Sequence, residues 1–127
     1  MSLNNILLID DDEDDREMFQ MAINAVSNAA AFIALDNATE ALRKLKDNIL
    51  QPNVIFLDLN MPKMNGRQFL GRIKKDDELK NIPVFIYSTF SDDETIRELK
   101  ELGAMDFISK PTELKELVKI LKAIVKK

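Results

Sequence analysis

The 127-residue chain contains no cysteine and no histidine. Without cysteine there is neither a disulfide framework nor a thiolate zinc site, and without histidine imidazole bases and imidazole metal ligands are excluded. Basic residues are outnumbered, 18 against 22 acids, for a net charge of −4. That balance argues against a nucleic-acid-binding surface, because phosphate contacts require a basic patch. No apolar stretch approaches the ~18 residues of a membrane span, and Met1-Ser2-Leu3-Asn4-Asn5 lacks the basic start of a signal peptide. The expectation is a cytoplasmic protein with neither membrane nor nucleic acid as a partner. Internal repeats, low-complexity segments and linkers are missing too. Residues 1–127 are therefore expected to form a single domain with no output domain attached. Apolar residues at 46% and charged residues at 31% fit a soluble globular domain large enough for a real core.

What the chain does have is a set of short apolar runs that end in polar groups. Ile6-Leu7-Leu8-Ile9 ends in Asp10 and Asp11, and Val54-Ile55-Phe56-Leu57 ends in Asp58. Val84-Phe85-Ile86-Tyr87 ends in Ser88, and Phe107-Ile108-Ser109 ends in Lys110-Pro111. A carboxylate placed by a buried strand at the lip of a turn is fixed by the strand and exposed by the loop.

Helical stripes separate these runs. Phe19, Ala22, Ile23 and Val26 recur at helical spacing, which predicts a helix over about 13–27 after the first strand. Ala31–Leu35 reads as a modest strand. Asn37 is a predicted N-cap with Glu40 as its capping-box partner, and Ala38, Ala41, Leu42, Leu45 and Ile49 form the stripe that follows. A third helix from about Gly66 to Lys75 buries Phe69, Leu70 and Ile73. Ser91 and Glu94 form a second predicted capping box, ahead of Ile96 and Leu99 and a stop near Gly103. Thr112 is the predicted cap of a last helix with a stripe of Leu114, Leu117, Val118, Leu121, Ile124 and Val125.

Five successive βα units follow from this pattern. Short apolar strands without in/out alternation imply a parallel sheet covered on both faces. Right-handed crossovers make that sheet doubly wound, and ligands bind outside the carboxyl ends of its strands. The four polar strand ends all fall on that edge.

Each polar residue also has an unremarkable explanation. Acids in a helix's first turn are stabilised by its macrodipole, which accounts for Asp12, Glu13, Asp14 and Asp15. It accounts poorly for Asp10 and Asp11, which leave the strand before the helix starts. Lys110 alone would be a surface lysine, Ser88 alone a strand terminator, and Asn60 and Gly66 alone turn residues. Together, in this order and on one sheet edge, they form a pattern. Like charges ~4 Å apart repel by about 1 kcal/mol per pair even at water's dielectric. If Asp58 lies beside Asp10 and Asp11, such a cluster persists only if it shares protons, meets a cation or needs the strain. Lys110 can offset one charge, and a bound Mg²⁺, which prefers oxygen ligands, would offset two.

Asp10-Asp11, Asp58-Leu59-Asn60-Met61-Pro62 with Gly66, Ser88, and Lys110-Pro111 resemble the receiver domain of two-component response regulators, of the stand-alone, chemotaxis-regulator-like type. The resemblance spans essentially the whole chain. It implies the flavodoxin-like (βα)5 fold with strand order 2-1-3-4-5. It also implies an aspartate that accepts a phosphoryl group from a histidine kinase or phosphotransfer protein and later loses it to water.

Carried onto this sequence, the resemblance makes Asp58 the phosphoacceptor nucleophile. Asp11 and Asp58 become direct Mg²⁺ ligands, the backbone carbonyl of Asn60 another, and Asp10 a ligand through water. Mg²⁺ and Lys110 would neutralise the phosphoryl oxygens in an in-line transfer. Ser88 would donate to the new phosphoryl group while Phe107 rotates inward, altering a surface read by a downstream protein that the sequence does not identify. Gly66 would supply a turn, Met61-Pro62 the path of the loop, and Pro111 would follow a cis peptide. Ser88 stands where threonine is commoner, Phe107 where tyrosine is frequent, and Phe90 where the family tunes water access to the acyl phosphate. Such a protein is not an enzyme towards other substrates; it catalyses only its own phosphorylation and dephosphorylation.

Other classes fit less well. A haloacid-dehalogenase-type phosphatase needs a second acid where Asn60 stands. A flavodoxin-like cofactor binder needs a Ser-, Thr- or Gly-rich first loop in place of an acidic one. An EF-hand starting at Asp10 would need Gly at Asp15 and Glu at Met21. A receiver-like interaction module that signals without phosphorylation is the alternative that shares every other expectation.

Overall fold

The computed structural model describes residues 3–89 and 92–125. Strands and helices alternate in the order β1 (Asn5–Ile9), α1 (Glu13–Val26), β2 (Ala31–Leu35), α2 (Ala38–Lys46), β3 (Val54–Leu57), α3 (Gly66–Lys75), β4 (Val84–Ser88), α4 (Asp93–Leu102), β5 (Asp106–Ser109) and α5 (Leu114–Val125). All strand pairs are parallel, and the order across the five-stranded sheet is β2-β1-β3-β4-β5. The doubly wound α/β architecture expected from the apolar runs is the one observed.

Each central strand feeds two cores. Leu7 and Ile9, Ile55 and Leu57, and Val84 and Ile86 face α2, α3 and α4. Ile6 and Leu8, Val54 and Phe56, and Phe85 and Tyr87 face α1 and α5. Side chains thus alternate between faces as in any strand, but both faces are apolar, so the sequence shows no alternation. On the α1/α5 side, the Phe19 ring centroid lies 4.9 Å from Phe56 and 5.1 Å from Tyr87, the latter edge-on at 76°. The edge strands β2 and β5 are only partly buried.

Several local expectations are corrected. α2 ends at Lys46, and Ile49 is 59% exposed, not part of the buried stripe. The cause is Asn48, whose φ of 59° turns the chain so that the Ile49 and Leu50 N–H groups both donate to the Lys44 carbonyl. Asn37 caps α2 as expected, accepting from the Glu40 N–H at 2.7 Å. The Glu40 carboxylate, however, accepts from Arg43 at 2.6 Å, an ion pair within the helix. The cap of α4 is Asp92, which accepts from the Thr95 N–H at 2.8 Å. Ser91, the expected cap, lies outside the described residues, as does Phe90. α5 begins at Leu114, one residue later than a Thr112 cap would start it, with the Glu113 carbonyl accepting from Leu117. Its buried stripe is Leu117, Leu121 and Ile124, while Leu114 and Val125 are exposed. Among the described residues every peptide bond is trans, including Lys110–Pro111. Trans is the lower-energy form of an X–Pro bond by about 0.5–1 kcal/mol.

The sheet order reverses at β1, which has β2 on one side and β3 on the other. In an open α/β sheet the crevice beyond the strand ends at such a reversal is where ligands bind. The ladder runs one residue past each strand there. Asp10 N–H donates to Leu35 O at 3.0 Å, Asp58 N–H to Ile9 O at 2.9 Å and Lys110 N–H to Ser88 O at 2.8 Å. The backbones of the polar strand-end residues are therefore fixed by the sheet itself.

Candidate functional site

Three carboxylates converge at the β1/β3 end. Asp10, Asp11 and Asp58 each offer an oxygen, and these oxygens lie within 4.8 Å of one another. Asp10 is fully buried, Asp58 nearly so, and Asp11 exposed at the mouth. Both Asp58 oxygens are engaged: Ser88 Oγ donates to Oδ1 at 2.8 Å, and Lys110 Nζ lies 3.3 Å from Oδ2. Asn60 is exposed beside them, and its N–H makes a long 3.4 Å approach to Asp58 Oδ1.

Lys110 reaches further than the sequence indicated. Its ammonium also lies 2.8 Å from Asp10 Oδ2 and 2.8 Å from Asp15 Oδ2. Burial by itself would lower the pKa of Lys110, but the hydrogen bonds and charges of its acidic neighbours carry it above the ordinary lysine value. Lys110 stays charged. Burial pushes Asp10 the other way for a carboxyl, up to about 6, against the opposing pull of Lys110. Its Oδ1 accepts from the Asp12 N–H at 3.0 Å, whereas Oδ2 has no directed hydrogen bond, only the nearby charge of Lys110. A buried carboxylate oxygen in that condition, beside two further carboxylates, suits a hard divalent cation with oxygen ligands and retained waters.

The loop after β3 is shaped by Gly66. A Cβ there would collide with the Asp58 carbonyl oxygen and come within 2.8 Å of Leu59 Cα. Its N–H donates to Leu59 O at 3.0 Å. Glycine is required here for close approach to the Asp58 backbone, not for a positive φ. Met61 is buried in the α2–α4 core and anchors the loop, Pro62 is exposed, and Lys63 takes the turn at a φ of 64°. Asn65 and Gln68 close a complete capping box at the start of α3, at 2.9 and 3.0 Å. That Asn-x-x-Gln spacing was available in the sequence as a helix-start signal.

Phe107 is not in the carboxylate pocket. It is half-buried and packs against the α2–α4 core from β5. Pro111 is half-buried behind Lys110 in sequence. Of the acid run, Asp12 is the helix cap, accepting from the Asp15 N–H at 3.1 Å, and the helix begins at Glu13, which rules out a calcium loop over these residues. Asp15 belongs to the Lys110 site, a role that a run of six acids could not single out. Two more residues were missed: Arg16, whose guanidinium donates to the Asp10 carbonyl at 2.9 Å, and Tyr87, whose ring lies 5.6 Å below Lys110 Nζ.

Comparison with known proteins agrees with this geometry. The family model of the response regulator receiver domain matches residues 6–122. The chain belongs to that family. Response regulator Rcp1 of Synechocystis is 32% identical to this receiver domain over 124 residues, spanning 94% of this chain and 84% of that protein. The crystal structure of the Mn²⁺-bound form of Rcp1 aligns with a TM-score of 0.85 at 31% identity, covering 95% of this chain and 91% of that one. That of the phosphorylated cyanobacterial phytochrome response regulator RcpA aligns with a TM-score of 0.87, also at 31% identity, covering 97% and 91%. A protein-glutamate methylesterase/protein-glutamine glutaminase of Bacillus licheniformis is 38% identical over 107 residues, 84% of this chain but 29% of that protein. The likeness to the methylesterase is to part of it. No helix among the described residues of the receiver domain is long and apolar enough to cross a membrane.

Proposed function

We propose that this receiver domain accepts a phosphoryl group on Asp58 from a histidine kinase or phosphotransfer protein, and that the modification switches a protein-binding surface. The observation that carries the proposal is the setting of the Asp58 carboxylate. It is a nearly buried anion held through one oxygen by a hydroxyl and through the other by an ammonium, with two further carboxylates within 4.8 Å.

Asp58 attacks the phosphorus of the donor, forming an Asp58 O–P bond as the bond from phosphorus to the donor's leaving atom breaks. Lys110 brings a positive charge, already beside Asp58, to the phosphoryl oxygens. Ser88 gives up Asp58 Oδ1 and donates to a phosphoryl oxygen. The sheet ladder at Ile9 and the tight Gly66 contact hold the Asp58 backbone still while the side chain reacts. Asp10, Asp11, Asp58 and the Asn60 carbonyl are the groups that would hold Mg²⁺, Asp10 through water. When bound, Mg²⁺ neutralises charge on the phosphoryl oxygens and on the crowded acids. Mn²⁺ in Rcp1 and phosphate on RcpA support the reading by likeness.

Residues 1–127 act as one receiver domain, in the cytoplasm, and as a signalling switch without turnover of other substrates. The switched surface is the one carrying Phe107, formed by α4, β5 and α5. A phosphorylation-independent interaction module is the competing outcome. Incubation with acetyl phosphate and Mg²⁺ is expected to add one phosphoryl mass, labile to hydroxylamine, to the peptide containing Asp58. Asp58→Asn abolishes it. Stoichiometric labelling that survives the substitution, or no labelling of wild type by acetyl phosphate or a kinase, rejects the proposal.

A further inference from the structure

Lys110 is held at three points, and only one of them is Asp58. Its Nζ lies 2.8 Å from Asp10 Oδ2, 2.8 Å from Asp15 Oδ2 and 3.3 Å from Asp58 Oδ2. The Lys110–Asp15 contact meets hydrogen-bond geometry, whereas the contact to Asp10 is an ion pair alone. Asp15 approaches from the first turn of α1, and its side chain is 29% exposed. Asp58, at 6%, sits deeper. The Tyr87 ring closes the space beneath the ammonium, 5.6 Å from Nζ, and is fixed by Phe19 edge-on against it. Lys110 is thus pulled toward the mouth by an acid outside the phosphoacceptor and blocked from sinking by a ring.

We infer that Asp15 is a positioning residue that shares the Lys110 ammonium with Asp58 in the resting state, holding it closer to itself, at 2.8 against 3.3 Å, and so restrains phosphorylation. The inference rests on the reading of Lys110 as the cation that serves the phosphoryl group. Asp15 and the phosphoryl group compete for one ammonium. An ammonium has three N–H donors, and the shorter of its two hydrogen bonds, at 2.8 Å, goes to Asp15 and the longer, at 3.3 Å, to Asp58. As negative charge grows on the phosphoryl group, Lys110 must shift toward it, and the Asp15 hydrogen bond opposes that shift. The Asp15 carboxylate also repels an incoming phosphoryl donor. Both effects vanish on neutralising Asp15, while its place as a first-turn acid on α1 contributes only to helix stability.

Asp15→Asn keeps the size and removes the charge. At saturating Mg²⁺, its phosphorylation by acetyl phosphate is expected to run about fivefold faster than wild type, where a tenfold change corresponds to ~1.4 kcal/mol. Asp14→Asn removes the same charge from an exposed neighbour with no contact to Lys110 and is expected to stay near the wild-type rate. Asp15→Glu restores an acid and is expected to return the rate toward wild type. The second readout is the Lys110 ammonium by ¹⁵N NMR: its signal is expected to move on Asp15→Asn and not on Asp14→Asn, which a purely structural role for Asp15 would not produce. An Asp15→Asn rate equal to or below wild type, with Lys110→Ala slow, overturns the inference but leaves the phosphoacceptor reading intact. Equal acceleration by Asp14→Asn overturns it as well, since the effect is then general charge. Labelling that survives Asp58→Asn, or a Lys110→Ala rate equal to wild type, fails the underlying reading instead.

Discussion

Ser88 Oγ donates to Asp58 Oδ1 at 2.8 Å, a fully buried hydrogen bond between residues 30 apart in the chain. It joins the end of β4 to the end of β3, so the hydroxyl already touches the group whose state it would report. Ser88→Ala leaves the buried Asp58 Oδ1 with only the long 3.4 Å approach of the Asn60 N–H, which costs about 1–3 kcal/mol. The expected outcome is a lower Tm, with Asp58 still phosphorylatable. On beryllofluoride addition the amide shifts of α4, β5 and α5 are expected to move in wild type and to stay near their resting values in the variant. A variant that responds like wild type rejects Ser88 as the link to that surface.

Two glycines of α3 give opposite predictions. At Gly66 an added Cβ meets the backbone of Asp58 and Leu59, which cannot yield, whereas at Gly71 nothing lies within 4 Å. Gly66→Ala is expected to destabilise by ~2 kcal/mol or more, as overpacking against fixed atoms does, and to slow phosphorylation by displacing Asp58. Gly71→Ala is expected to stabilise by about 0.5–1 kcal/mol, the helix propensity gained. Denaturant melts of the two variants check both signs.

The scaffold was legible because four apolar runs end in Asp10, Asp58, Ser88 and Lys110, and a parallel sheet sends all such ends to one edge. Helix termini were less legible. Ser91 and Asp92 are both plausible caps by residue type, and Asp92 accepts from the Thr95 N–H. Ile49 kept helical spacing, but the left-handed turn at Asn48 takes it out of the stripe. Asp15 could not be found from sequence at all. Its partner Lys110 is 95 residues away, and nothing in the acid run distinguishes it from Asp14.

The raised pKa of Asp10 sets a pH dependence. Burial lifts it from 3.8 to about 6, so the folded state binds this proton more tightly than the unfolded chain. Stability from this group is therefore full below pH ~4 and is lost as pH rises through ~6. A cation competes with the proton, so the rise in Tm caused by Mg²⁺ is expected to be larger at pH 7 than at pH 5. Asp10→Asn is expected to flatten the metal-free pH profile over that window. Melts of both proteins with and without Mg²⁺ measure it, and an unchanged profile in Asp10→Asn places the titration elsewhere.

Asp11 is the exposed member of the carboxylate group, so its removal disturbs no packing. Asp11→Ala is expected to raise the metal-free Tm, because one repulsion among three acids is relieved. The same change is expected to weaken Mg²⁺ binding by at least about tenfold, since a divalent ion and a carboxylate ~4 Å apart gain ~2 kcal/mol even at water's dielectric. Calorimetric titration gives the affinity directly. Unchanged affinity would reduce the acid pair to a helix-start feature.

Tyr87 presents two halves with different consequences. Its ring is fully buried against Phe19 and lies under Lys110, while its hydroxyl is buried with no hydrogen-bond partner. Burial, reinforced by the nearby Asp15 charge, pushes its pKa above the ordinary tyrosine value, so it stays a neutral phenol throughout the working range. A buried, unpaired hydroxyl carries a desolvation cost of about 1–3 kcal/mol. Tyr87→Phe removes that cost and keeps the aromatic face. Its Tm is therefore expected to rise by a few degrees, at roughly 3–5 °C per kcal/mol for a domain of this size, with phosphorylation near the wild-type rate. Tyr87→Leu, which removes the face as well, is expected to lower Tm and broaden the Lys110 ammonium signal. A Tm that falls in Tyr87→Phe would show that the hydroxyl is satisfied in solution, by water reaching it from the acidic pocket.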